Sequence, residues 1–344
     1  MQQGISRRVF GVAASAAAVT GFGIIHARGD EPLRLRCSLD TAPSHLRNVG
    51  IIDFLAKLEA ASGGRIKTEI FQSGQLFADL NVTKALVQGQ VEMAAPGIWT
   101  LTGFVPNADV LQLPAFYGRT TDEVRKVLEG KAGAKLGQEL ESKLKVHLLG
   151  KWIELGYQNT YFSHKEVLTA EDFRGLKIRS PGGAGTAWRL RFFGAIPNTT
   201  AWPDVPLSLS QGTFDGLVST NMSLVAAKLW EAGVRYAFED HQFCGAYIPM
   251  LSGTFWAKLS PDLQQIVTEI WAANIPTYSA NVLQAQREAR ALLITSGVKF
   301  HDPTPEATVA LRTAMMARQD EAAAEIKVSP EMVKLAMQDL GATS

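Results

Sequence analysis

Apolar Leu33, Leu35, Cys37 and Leu39 alternate with Arg34, Arg36 and Ser38, and this period of two predicts a strand with one buried face. Ser44 then reads as a helix cap. Leu46, Val49, Ile52, Leu55 and Leu58 follow at three-residue steps, and Gly63-Gly64 supplies the stop. Arg65 to Phe71 predicts a second strand, Ala78 to Gln88 a helix halted by Gly89, and Val91 to Ala94 a short third strand. Strand, helix, strand, helix, strand at this spacing is the pattern of right-handed βαβ units in a mostly parallel sheet. Thr121 to Leu144 is expected to be helical, and Val146 to Gly150 to return as a strand.

A second set of elements begins near Trp152. Thr169-Ala170-Glu171-Asp172 has the form of a capping box ahead of a short Lys177–Arg179 strand. Helices over Thr186–Phe193 and Asp204–Gln211, a strand over Phe214–Val218 and an extended Asp240–Thr254 follow. The extended stretch is placed to carry the chain back to the first lobe. Ser260-Pro261-Asp262, Thr304-Pro305-Glu306 and Ser329-Pro330-Glu331 each combine a cap hydroxyl, a proline at the first helical position and an acid in the positive first turn. The first of these helices should run from Pro261 to about Leu293, with Pro276 kinking or restarting it.

A chain of 344 residues exceeds the size at which single cores stop growing, so two lobes are the default. No Pro/Gly/Ser-rich linker divides the chain, which predicts several crossovers and a hinged clamp. The balance of 34 Lys plus Arg against 33 Asp plus Glu gives no electrostatic case for nucleic acid or an anionic membrane surface. At the N-terminus, Ser6-Arg7-Arg8-Val9-Phe10 precedes the uncharged, Ala/Gly-rich run Gly11–Ile25. That is the layout of an export signal over residues 1–27, cleaved after Ala27, and the paired arginines look like a twin-arginine signal. A retained anchor is the competing reading, and the run is short and weakly apolar for one. Removal of residues 1–27 takes two arginines and no acid, leaving 32 − 33 = −1 in the periplasm. Cys37 and Cys244 both fall in apolar strands, as two buried hydrophobes rather than a bridge.

Catalytic constellations are absent: there is no G-x-S-x-G and no H-E-x-x-H, and the six histidines are scattered. Pro181-Gly182-Gly183-Ala184-Gly185 lacks nucleotide-binding spacing and reads as a structural turn opening a helix, with an anion-facing start as the alternative. The informative feature is Arg179. A rigid guanidinium at the carboxyl end of a strand sits where open α/β sheets form their ligand crevice, and its planar fork suits a carboxylate. A surface arginine capping the strand is the plainer alternative. Trp202, outside any helical stripe, could floor a pocket, and Ser219 and Asn221 supply neutral polar groups after a strand, or simple turn chemistry. His45 either edges the cleft or sits on a solvated turn.

With Ser73-Gly74-Gln75-Leu76, Gly89-Gln90-Val91-Glu92-Met93, Leu113-Pro114-Ala115-Phe116, Gly175–Arg179, Gly194-Ala195 and Gln211-Gly212-x-x-Asp215-Gly216, the chain resembles the extracytoplasmic solute-binding proteins of TRAP transporters, of the dicarboxylate-binding type. The resemblance covers most of the mature region. It implies an α/β, two-lobed periplasmic binding protein fold with hinge crossovers and a long helix spanning both lobes. It also implies an organic acid held by Arg179, an aromatic at Trp202, a first helix start near Thr41 to His45, and delivery to the small and large membrane subunits. The expected lobes are 33–153 plus 242–281 and 154–241 plus 282–344. Two departures stand out: Gln158 replaces a second arginine common in relatives, and Val218-Ser219 stands where Glu-Asn is frequent. Losing those charged partners favours a monocarboxylate with an apolar or aromatic body. The candidate ligand-binding set is Arg179, Trp202, Gln158, Ser219, Asn221, Thr41, His45 and Trp99. No cofactor, metal or catalytic step is expected. An exported enzyme acting on a small acid, or a sensor subunit reporting ligand occupancy to a receptor, are the alternatives.

Overall fold

The computed structural model of the chain describes residues 31–341, so the export signal expected at 1–27 lies outside the described residues. In chain order the strands are β1 (Leu33–Ser38), β2 (Ile66–Phe71), β3 (Met93–Ala94), β4 (Val146–Leu148), β5 (Ile153–Phe162), β6 (Lys177–Ser180), β7 (Ile196–Thr199), β8 (Gly216–Ser219), β9 (Tyr236–Tyr247), β10 (Met250–Ser252) and β11 (Lys299–His301). They form two sheets, ordered β2-β1-β3-β10-β4 and β11-β9-β5-β8-β6-β7. The expected parallel units are present: β1 runs parallel to both β2 and β3, and β6 parallel to both β7 and β8. Antiparallel pairing enters through the returning chain, as β10 between β3 and β4 and as β5 against β8 and β9. This is the two-lobed α/β fold that the element pattern predicted.

Strand β5 escaped the periodicity analysis. It is buried on both faces over most of its length, so no alternation marks it, and Gly156 interrupts it at φ 87°. Conversely, one continuous helix, Pro261–Thr295, runs through Pro276 where a restart was one of the two expectations. It packs on the helix Leu46–Ala61: the Trp271 ring meets Phe54 edge-on at 5.3 Å, and Tyr278 lies over Gly50, where a Cβ would stand 3.1 Å from the ring. The predicted cap Ser44 is displaced by His45, whose ring accepts from Arg47 N–H. Thr121–Leu144 is two helices, broken between Leu128 and Lys131 around Gly130. Cys37 and Cys244 are both buried and unpaired.

The three proline-opened helices differ at their caps. Thr304 and Ser329 accept from Ala307 N–H and Met332 N–H, whereas the Ser260 hydroxyl donates to Asp262 at 2.5 Å and caps no backbone group. Ser329→Ala should therefore cost about 1 kcal/mol in urea unfolding, and Ser260→Ala clearly less. Equal losses would mean that the side-chain cap is not what stabilises these starts.

Candidate functional site

Strands β6, β7 and β8 run parallel, so their carboxyl ends share one edge of the second sheet. Ile178, Arg179 and Ser180 are buried, which draws the Arg179 guanidinium inward from the strand end. Its Nε donates to Thr200 O at 2.9 Å and its Nη1 to Val218 O at 3.3 Å, carbonyls that end the two neighbouring strands. Nη2 is buried without a hydrogen-bond partner and faces Asp79 Oδ2 at 3.9 Å. Burial pulls the guanidinium down to about 10, against the opposing fields of Asp79, Asp40 and Tyr247, so it stays charged at neutral pH.

The opposite wall comes from elements of the first sheet. Asp79 opens the helix Asp79–Val87 and accepts from Trp202 N–H at 3.0 Å, joining the two walls. Burial, reinforced by Asp40, raises its carboxyl to about 6. Asp40 follows β1 and is held by Arg47 Nη1 at 2.8 Å. Arg47 in turn donates to Ala95 O and Thr41 Oγ1 and lies 4.2 Å over the Tyr247 ring. Trp202 completes the floor, with its ring centroid 5.6 Å from the Arg179 guanidinium.

Five of the eight sequence candidates, Arg179, Trp202, Gln158, Ser219 and Trp99, line one cavity of about 20 Å³ together with Asp40, Asp79, Ser223 and Tyr247. That volume has room for about one water molecule, so its walls must separate to admit an organic acid. The structure puts the other three elsewhere. His45 is fully buried rather than solvated, one shell behind, with Nε2 3.2 Å from Ser223 Oγ. Burial and Arg47 push its ring well below the ordinary histidine range, so it is neutral. Thr41 supports Arg47 and donates to Asn48 Oδ1 at 2.7 Å. Asn221 turns away, accepting from Tyr161 O–H at 2.8 Å and donating to Glu239 at 2.7 Å, in the wall of a separate cavity that includes His241 and Arg290.

The cleft acids were not among the sequence candidates. Asp40 sits just past a strand's carboxyl end, the same rule that singles out Arg179, and could have been found by it. Asp79 at a helix start and Gly245 carry no such signal. A Cβ at Gly245 would lie 3.0 Å from both Gln158 Nε2 and the Trp99 ring, so the glycine admits both side chains to the cavity. The turn Gly182-Gly183 is structural as expected: φ is 118° and 83°, and a Cβ on Gly183 would meet Asp109 Oδ1 at 2.9 Å. The helix start behind it is filled by a carboxyl of the protein's own, since Gly185 N–H donates to Asp109 Oδ2 at 3.1 Å. A groove of about 780 Å³ beside Trp152 and Pro276 presents no free anchor, because its charges pair as Arg125–Glu154 and Lys151–Glu129.

The profile of the family "Bacterial extracellular solute-binding protein, family 7" matches residues 39–325. The C4-dicarboxylate-binding periplasmic protein DctP of Rhodobacter capsulatus is 24% identical over 325 residues, 94% of this chain and 96% of that protein. Among solved structures, a TRAP periplasmic solute-binding protein of Ralstonia eutropha H16 with bound (S)-2-acetolactate superposes with a TM-score of 0.82 at 21% identity, covering 90% of this chain and 98% of that one. The sugar acid binding protein DctPAm of Advenella mimigardefordensis, in complex with galactonate, gives 0.83 at 20% identity, covering 90% and 98%. The two-walled cleft, the sheet topology and the matched profile together establish that the chain belongs to family 7 of the bacterial extracellular solute-binding proteins.

Proposed function

We propose that this protein is the periplasmic binding component of a TRAP-type transporter and that it captures a small organic acid between two lobes. The observation that carries this reading is the Arg179 Nη2 group, buried, charged and without a hydrogen-bond partner in the wall of the cleft. A buried guanidinium N–H left unpaired costs free energy that a carboxylate oxygen recovers through a charge-assisted hydrogen bond. Trp202 and Trp99 would supply the apolar floor and wall, with Gln158 and Ser219 as neutral polar partners. Nothing in this arrangement transforms the ligand; it is held and then delivered to the two membrane subunits. The acids named with the relatives, a C4-dicarboxylate, acetolactate and galactonate, share the carboxylate that Arg179 would take.

The lobes would be 33–153 plus 242–281 and 154–241 plus 282–344, moving about a hinge. Supporting this, β5 and β9 shift register between Glu154 and Gly156 and between Gln158 and Thr160, irregularities that let paired strands bend. Export would follow the signal at 1–27, with cleavage after Ala27. The test is the thermal shift of the protein lacking residues 1–27 across mono- and dicarboxylates, with neutral sugars as controls. A ligand at a hundred times its dissociation constant adds about 2.7 kcal/mol. Stabilisation by acids alone, absent in Arg179→Ala, supports the proposal; stabilisation by neutral sugars alone overturns it.

A further inference from the structure

We propose that the cleft selects acids carrying a hydrogen-bond donor, hydroxyl or ammonium, on the carbon next to the carboxylate, and that it discriminates against dicarboxylates. The inference rests on the reading that Arg179 holds the carboxylate, and deepens it. Arg179 Nη2 and Asp79 Oδ2 face each other across the cleft at 3.9 Å, too far for a hydrogen bond. Their other polar atoms are engaged: Nε and Nη1 with Thr200 O and Val218 O, and Oδ1 with Trp202 N–H. The cleft therefore offers one strong donor beside one strong acceptor. An acid with an α-hydroxyl or α-ammonium group presents the complement on adjacent carbons. Its carboxylate accepts from Nη2 and its α-group donates to Asp79 Oδ2.

The charges argue the same way. Asp40 and Asp79 line the cavity with Arg179, and Arg47 pairs with Asp40, so the four ionised side chains sum to zero. A second ligand carboxylate would be confined against two acids away from water, where like charges repel strongly. A zwitterionic amino acid leaves the balance untouched. A hydroxy acid adds one negative charge. The charged and titratable groups around the Asp79 carboxyl are Asp40, Arg47, Arg179 and Tyr247. Because the acceptor is the ionised Asp79 carboxylate, the preference for an α-donor over its plain parent should shrink as pH falls through about 6.

The experiment is calorimetric titration of the protein lacking residues 1–27 with matched sets on three skeletons: propanoate, butanoate and 3-phenylpropanoate. Each is offered plain, with an α-hydroxyl and with an α-amino group, beside succinate and malate. Wild type should prefer the α-donor member about ten- to hundredfold over its plain parent and rank succinate last. Asp79→Ala should erase that preference and improve succinate about tenfold, and Asp79→Asn, which keeps an acceptor without the charge, should retain part of it. Binding that depends on Arg179 but ignores the α-substituent, or is unchanged in both Asp79 variants, overturns this inference and leaves the carboxylate anchor standing. No binding by any of these acids overturns both.

Discussion

Replacing Arg179 by alanine should weaken binding of the best carboxylate ligand by about 30- to 5,000-fold, the span that corresponds to losing 2–5 kcal/mol from one partner of a buried, hydrogen-bonded charge pair. The size follows from where the guanidinium lies. It is 1% exposed, so a ligand carboxylate that meets it has lost its own hydration and has no water to fall back on. Arg179→Lys separates charge from geometry. The ammonium keeps the positive charge, but a single point donor cannot serve Thr200 O, Val218 O and the ligand in one plane as the guanidinium fork does. Lysine should accordingly recover only part of the loss. Calorimetry gives the affinities, and a retained cooperative melt shows that each variant is folded. Alanine binding as tightly as wild type would remove Arg179 from the anchor role.

The second large effect concerns stability. Asp240→Asn should gain stability relative to wild type as pH rises from 4 to 8, by a few kcal/mol in all. Asp240 is 1% exposed; Tyr117 O–H donates to its Oδ2 at 2.9 Å, while Oδ1 has no partner. Burial raises its carboxyl from the ordinary 3.8 to about 7, with the Tyr117 hydrogen bond and the charge of Arg189 acting the other way. Between those values the folded protein holds a proton that the unfolded chain has released. Unfolding free energy therefore falls as pH rises through that window, and the contribution is complete below 4 and gone above 7. Asparagine has no such proton, so the difference between the two proteins carries the slope. Asp109, raised by burial to about 7, behaves alike, and Asp109→Asn serves as an independent check. His45 opposes the trend in wild type, because it folds neutral and must charge on unfolding below its ordinary 6.5. Comparing variant with wild type cancels that term. Urea titrations at pH 4, 6 and 8 read the result; a pH-independent difference would mean that Asp240 is ionised in the folded state throughout.

Legibility in the sequence followed the range of the interactions. Helix starts at Pro261, Pro305 and Pro330 appear where the cap, proline and acid pattern put them, because that pattern acts within four residues of chain, through a cap at Thr304 and Ser329 and through the proline and first-turn acid at all three. Arg179 could be picked out because strand, turn and helix are local and their order fixes which end of the strand opens to a crevice. Strand β5 was not, since its pairing with β9 joins Ile153 to Tyr247 and Phe162 to Tyr236 across the middle of the chain. The same distance hides the cleft acids: Asp79 reaches Trp202 over 123 residues of sequence.

What the sequence by itself determined, then, is the α/β element pattern, the two-lobed organisation and a guanidinium at a strand end. Periodicity, capping and strand-end chemistry are all properties of a few neighbouring residues. Tertiary structure alone decided what that guanidinium faces. It brought Asp40 and Asp79 from the first sheet to the carboxyl ends of β6 and β8, turned Asn221 toward Glu239 and left Arg179 Nη2 without a partner. Charge and desolvation act through space rather than along the chain, so the polarity of a cleft is set only when its two walls meet.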